Sequence, residues 1–146
     1  MVSIRRNVGP VPISDVERAQ WRAGIERFLR AEDPKWTWRG PDIPRLKPAF
    51  RSILVGIDGS IWVQPSLPSV PRTPPVRDNP AGSEDSDVRF AEQQLFDVYK
   101  ADGSYQGQVR LYENMIVYRR SMDSVWGTER DANDVPTVKR WRILWR

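Results

Sequence analysis

The sequence predicts a mainly β protein, with about seven antiparallel strands preceded by one amphipathic helix. Three observations carry this. Asp58-Gly59 and Asp102-Gly103 each separate two apolar runs, the pattern of a tight hairpin turn in which both central residues take positive φ. Between residues 14 and 33 the apolar residues recur with the period of a helix. Finally, Ser60-Ile61-Trp62 returns as Ser124-Val125-Trp126, 64 residues on, which marks an internal repeat.

The elements follow in order. In residues 1–13, Val2 and Ile4 alternate with Ser3 and Arg5, as in a short strand or arm running to about Val8. Ser14-Asp15-Val16-Glu17 reads as a capping box, with Ser14 at the N-cap and the Glu17 carboxylate reaching back to its amide. Trp21, Ile25, Phe28 and Leu29 form one stripe of the helix that follows. That stripe is expected to dock on the strand layer, because an isolated helix of this length is marginal in water. Asp33-Pro34 ends the helix, since proline disfavours helical geometry in the residue before it. Residues 34–49 hold Trp36, Trp38, Pro41, Pro44 and Pro48, and read as an extended segment clamped by tryptophan packing.

Strands are then expected at 50–57 and 60–63, at 95–99 and 105–111, at 115–118 and 125–126, and last at 138–145. Between the second and third lies residues 65–87, where Pro65, Pro68, Pro71 and Pro74 repeat every three residues, the polyproline II period. Such a stretch suits either a PxxP ligand or an extended surface loop, and its polar, acidic end at 82–87 favours the loop.

Leu95-Phe96-Asp97-Val98-Tyr99 has a weaker counterpart in Val138-Lys139-Arg140-Trp141-Arg142, 43 residues on. Without the 65–87 loop, a unit of about 43 residues with four short strands remains, within the range of propeller blades. The chain therefore reads as one domain over 1–146. It comprises an N-terminal arm (1–13), a helix (14–33), an extended segment (34–49), a first blade (50–111) and an incomplete second blade (112–146).

The run Lys47-Pro48-Ala49-Phe50 through Asp58-Gly59-Ser60-Ile61-Trp62-Val63 resembles the first hairpin of a blade in bacterial six-bladed β-propellers of the NHL and TolB-like kind. Phe96-Asp97-Val98-Tyr99, Asp102-Gly103 and Gly107 resemble the second hairpin, and Val125-Trp126-Gly127 with Arg130-Asp131 and Val138–Leu144 resemble the final blade. The likeness covers about residues 14–144, as the last two blades of a ring. It implies a fold and little about activity, because propellers host many unrelated functions. The last unit departs from the family by stopping after its third strand. Either further blades complete the ring, or copies of this chain associate head to tail, with three copies closing it.

Composition removes several chemistries. With no Cys and no His, disulfide scaffolds, Ser-His-Asp or Cys-His nucleophiles and ordinary zinc sites are unavailable. No run approaches the roughly 20 apolar residues of a membrane span, and no apolar leader follows Met1, so the chain as written reads as cytoplasmic. The net charge is +4, and 19 of the 23 basic residues are Arg. Arg suits phosphate, but Arg5-Arg6, Arg119-Arg120 and Lys139-Arg140-Trp141-Arg142 are short clusters near acids, which makes nucleic acid an unfavoured partner.

Some propellers resembling lactonases hold calcium with acidic side chains, and Asp58, Asp102, Asp123, Asp131, Asn133 and Asp134 are the candidates here. Asp131-Ala132-Asn133-Asp134 alternates like a calcium loop but lacks the glycine and distal Glu of an EF-hand. All six fall at expected turns, where Asp and Asn serve local hydrogen bonds. Trp62, Trp126 and Trp141 fit core packing between sheets, or alternatively a stacking platform for a ligand. No cofactor is implied. The expectation is a non-enzymatic propeller segment, structural or ligand-binding. The alternatives are a fragment of a calcium-dependent hydrolase and an Arg-based nucleic-acid binder.

Overall fold

The structure, a computed structural model, describes Ser3, residues 9–72, 89–112, 115–131, 133 and 135–145. In chain order the elements are β1 (Val11–Pro12), α1 (Asp15–Glu32), β2 (Leu46–Lys47), β3 (Phe50–Val55), β4 (Ile61–Pro65), β5 (Val70–Arg72), β6 (Arg89–Ala91), β7 (Gln94–Tyr99), β8 (Tyr105–Leu111), β9 (Ile116–Arg120), β10 (Ser124–Arg130) and β11 (Pro136–Arg142). The protein is mainly β, with antiparallel sheets following one N-terminal helix. No sheet closes on itself among the described residues. Two compact units are formed: Pro10–Lys47 with Leu67–Glu92, and Met1–Gly9 with Pro48–Ser66 and Gln93–Arg146.

The unit around α1 is held by polar contacts. Ser14 caps the helix by accepting the Glu17 amide at 3.2 Å, and the Asp33 amide closes the far end on Leu29 O. Glu17 itself does not complete a capping box. Its carboxylate is buried, accepts the Ser69 hydroxyl at 2.7 Å and lies 3.4 Å from Lys47 Nζ. Lys47 also donates to Leu67 O, Ser69 Oγ and Glu92 Oε1, while Glu92 Oε2 accepts the Leu67 amide at 2.7 Å. Two carboxylates and one ammonium thus join α1, β2 and the segments flanking β5 and β6. The apolar stripe expected to dock is exposed at Trp21, Ile25 and Phe28, the last by 70 %.

A different stripe meets the Pro- and Trp-rich segment. Arg18 donates to Ile43 O, Arg30 donates to Trp36 O, and the Arg22 guanidinium lies 5.1 Å over the Trp38 ring. Before β2 the prolines keep that segment out of a ladder, so its carbonyls need other donors, and the Arg18 and Arg30 guanidiniums supply two of them. Trp36 and Trp38 meet edge to face at 6.0 Å, as the expected tryptophan clamp requires. Part of the expected 65–87 loop is strand: β5 pairs with β6 in a two-stranded sheet, with Pro71 opposite Phe90. Residues 73–88 between them, like the expected strand at Val2–Val8 apart from Ser3, lie outside the described residues.

The second unit holds all seven strands expected from sequence. β3-β4-β7-β8 form a four-stranded antiparallel sheet and β9-β10-β11 a three-stranded one, with β11 at an edge. The two Asp-Gly turns are built alike but not as two-residue loops. Gly56 N donates to Ser60 O and Gly59 N to Gly56 O; Lys100 N donates to Ser104 O and Gly103 N to Lys100 O. Only the glycine takes positive φ, 80° at Gly59 and 88° at Gly103, which is the three-residue loop ending in a bulged glycine.

One core lies between the sheets. Trp62, Phe96, Val98, Val109 and Leu111 from the four-stranded sheet cluster with Met115 and Val125. Trp141, Ile143 and Trp145 pack against that cluster.

Candidate functional site

Turn chemistry in the two-sheet unit accounts for most of the acidic candidates. Asp58 Oδ1 accepts the amide and hydroxyl of Ser60, and Trp62 Nε1 in turn donates to that hydroxyl at 3.0 Å. Asp58 Oδ2 accepts the Met122 amide at 2.7 Å, from the turn between β9 and β10. Burial raises the Asp58 carboxyl, but the Met122 amide and the two Ser60 donors outweigh it and hold the group below its ordinary value. Asp102 is lowered likewise, by the Ser104 amide and hydroxyl. Asp131 Oδ1 accepts the amides of Asn133 and Val135, a local turn. Asp134 lies outside the described residues. The Asp102 and Asp131 carboxylates are therefore engaged by their own turns and Asp58 by its own and the β9–β10 turn, and no cluster of three acidic metal-ligating residues occurs among the described residues.

The three tryptophans separate. Trp62 is fully buried, so it belongs to the core and presents no stacking surface. Trp141 is half-buried against the same core. Trp126 is the different one. It follows the buried Val125 on β10, and strand alternation turns it to the opposite face of the sheet. Its register partner Arg140 places a guanidinium 5.0 Å over the indole, and Arg140 Nε donates to the buried Ser124 hydroxyl at 3.2 Å.

Arg140 also borders an open recess of about 770 Å³, lined by Asp123, Arg142, Ile143, Leu144 and Trp145. Two bonds form its wall. Ile143 N donates to Asp123 O and Trp145 Nε1 to Met122 O, both at 2.8 Å, which folds the chain after β11 back onto the β9–β10 turn. Paired guanidiniums beside an indole can hold an anionic or amide edge against an apolar surface. Arg140 carried no special signal in the sequence beyond its charge. The cross-strand pairing with Trp126 is visible only once the β10–β11 register is known.

Other basic residues are engaged locally. Lys139 pairs with Glu129 at 2.6 Å, and the Arg120 guanidinium lies 6.0 Å from the Trp62 ring centre, where burial lowers its value. Arg5 and Arg6 lie outside the described residues. No helix among the described residues is long and apolar enough to cross a membrane. Comparison with protein-family models, curated proteins and solved structures finds no match to this chain.

Proposed function

We propose that this chain is a non-enzymatic β-propeller segment of two blade-type sheets, acting as a structural or ligand- and protein-binding module. One observation supports this above the others. The Asp58–Met122 bond spans 64 residues, the same offset that relates Ser60-Ile61-Trp62 to Ser124-Val125-Trp126. Equivalent turns of successive repeat units are thus bonded to each other, as neighbouring blades would be. A four-stranded meander beside a three-stranded one, sharing a core, fits the same reading. Trp126, Arg140 and the adjoining recess are the surface on which such a module would take a ligand or partner.

Calorimetric titration with calcium, with assays on lactone and ester substrates, tests the reading. No heat at millimolar calcium and no turnover are expected. Stoichiometric calcium binding, or hydrolysis that survives purification, would overturn it in favour of a propeller hydrolase. Heparin retention that falls steeply with salt would instead favour the nucleic-acid binder, since counterion release demands that slope.

A further inference from the structure

We infer that the free edge of β11 takes an acidic, extended segment of a protein partner as a fourth strand, with two of its carboxylates, two residues apart, on Arg140 and Arg142. This rests on the protein-binding reading above and adds the chemistry of the partner. In the β10–β11 register, Arg142 lies opposite Ser124, Arg140 opposite Trp126, Val138 opposite Thr128 and Pro136 opposite Arg130; on β9, Arg119 lies opposite Trp126. Register partners share a face, so Arg119, Arg130, Arg140 and Arg142 stand on one side of the sheet with Trp126, and none of these partners is acidic. Arginines that are scattered in the sequence thus form one basic surface. Arg140 is held in place before any ligand arrives. Its guanidinium lies 5.0 Å over the Trp126 ring and its Nε is engaged by the Ser124 hydroxyl, which leaves the terminal nitrogens for another acceptor. Fixing an arginine in this way does nothing for solubility, but it lowers the entropy lost on meeting a carboxylate. Arg142 is exposed and shares the face two residues on, the spacing of alternate side chains on a neighbouring strand.

The edge argues for a peptide. β11 is the last strand of its sheet, its residues are exposed apart from the half-buried Trp141, and no described residue pairs with its outer side. Main-chain groups along such an edge bond to another strand, which a nucleic acid does not supply. Arg140 also caps the Trp126 indole on this face, where a base would otherwise stack. Basic side chains on an edge ordinarily keep strands away, and here the same charges select among them. A basic strand is repelled, an apolar one leaves a desolvated charge, and an acidic one is paired. Lys139, on the opposite face, is already paired with Glu129 and takes no part. Pro136 has no donor, which confines the new ladder to residues 137–142. At the Arg142 end the adjoining recess is lined by Asp123, so a further carboxylate there meets like charge. The segment that fits therefore carries acid at two alternate positions and not in a long run.

Two fluorescein-labelled peptides of one composition test this on the full chain: Thr-Val-Glu-Val-Glu-Val-Thr, with alternate glutamates, and Thr-Val-Val-Glu-Glu-Val-Thr, with adjacent ones. Fluorescence anisotropy over protein concentrations from about 1 μM to about 1 mM should show the alternating peptide binding. The adjacent-glutamate peptide should bind about tenfold more weakly, because only one of its carboxylates reaches the arginine face. Arg140→Gln and Arg142→Gln should each weaken the alternating peptide by about tenfold, the loss of one charged hydrogen bond. Amides within residues 137–142 should exchange more slowly in the complex, as strand addition requires and loose charge attraction does not. Circular dichroism melts confirm folding, and the exposed Arg142 keeps the test open should Arg140→Gln unfold. Failure to bind, equal binding of the two peptides, affinity unchanged in both variants, or unprotected β11 amides would each overturn the inference. An oligouridylate bound more tightly than the alternating peptide would overturn it in favour of a nucleic-acid partner. None of the peptide results bears on calcium binding or hydrolysis, so the two readings fail separately.

Discussion

Lys47 and Glu17 lie 3.4 Å apart with side chains only 2 % and 4 % exposed, and Glu92 completes the group at 2.9 Å from the same ammonium. A helix is thereby anchored to the strands through charge, where its sequence offered an apolar stripe for the purpose. Every polar contact around Lys47 Nζ is made by a group that is itself held, which is the condition under which a buried ion pair is tolerated.

Removing the cation should therefore be severe. Lys47→Met leaves two buried carboxylates facing each other, and breaking a buried pair typically destabilises by about 3–5 kcal/mol. Loss of helical circular dichroism at lower denaturant than wild type is the expected result. A variant as stable as wild type would show that the cluster is hydrated.

Phe28, expected to dock, and Trp62, read as core or as a stacking platform, differ sharply in burial. Phe28, on the helix stripe, is 70 % exposed, so Phe28→Ala should change stability by less than about 0.5 kcal/mol. Trp62 is fully buried, and Trp62→Ala should cost about 3–5 kcal/mol. Denaturant titrations of the two variants measure both.

Asp58 ties the two sheets through the Met122 amide, and its carboxyl is held below the ordinary 3.8. A carboxyl lowered on folding adds stability that is present above its unfolded value and is lost as pH falls through the lower folded value. Asp58→Asn should thus be less stable than wild type near neutrality. The gap is about 1 kcal/mol, small because the side chain is exposed and solvent screens it. That gap should narrow as pH drops below 3.8. Urea unfolding at neutral and acid pH gives the comparison.

Gly127 sits in β10 where a Cβ would overlap the Ile116 carbonyl oxygen of β9. The obstacle is backbone, so no side-chain rotation relieves it. Gly127→Ala should destabilise the three-stranded sheet by about 1–3 kcal/mol, and faster amide exchange along β9 is the readout.

The hairpins, the helix and its cap were legible from local chemistry. Asp-Gly pairs, a serine N-cap and a proline stop act on their immediate neighbours, so residues a few positions apart suffice to read them. The 64-residue repeat was likewise present in the sequence, at Ser60-Ile61-Trp62 and Ser124-Val125-Trp126. Glu17 misled because a capping box and a buried ion pair begin with the same Ser-x-x-Glu spacing, and the choice between them depends on Lys47 and Ser69, far along the chain.

By itself, then, the sequence determined the helix with its cap and stop, and the seven strands of the two larger sheets to within a few residues at each end, while β5 and β6 lay unread around a segment expected as loop. Tertiary structure alone decided which tryptophan faces the core and which the opposite face of its sheet, that Arg140 would lie on Trp126, and that the helix would be held by charge. Local structure follows from steric and hydrogen-bonding preferences within a few residues. Burial and pairing follow from which distant segments come together, and strand register converts a one-residue difference, Val125 against Trp126, into opposite faces of a sheet.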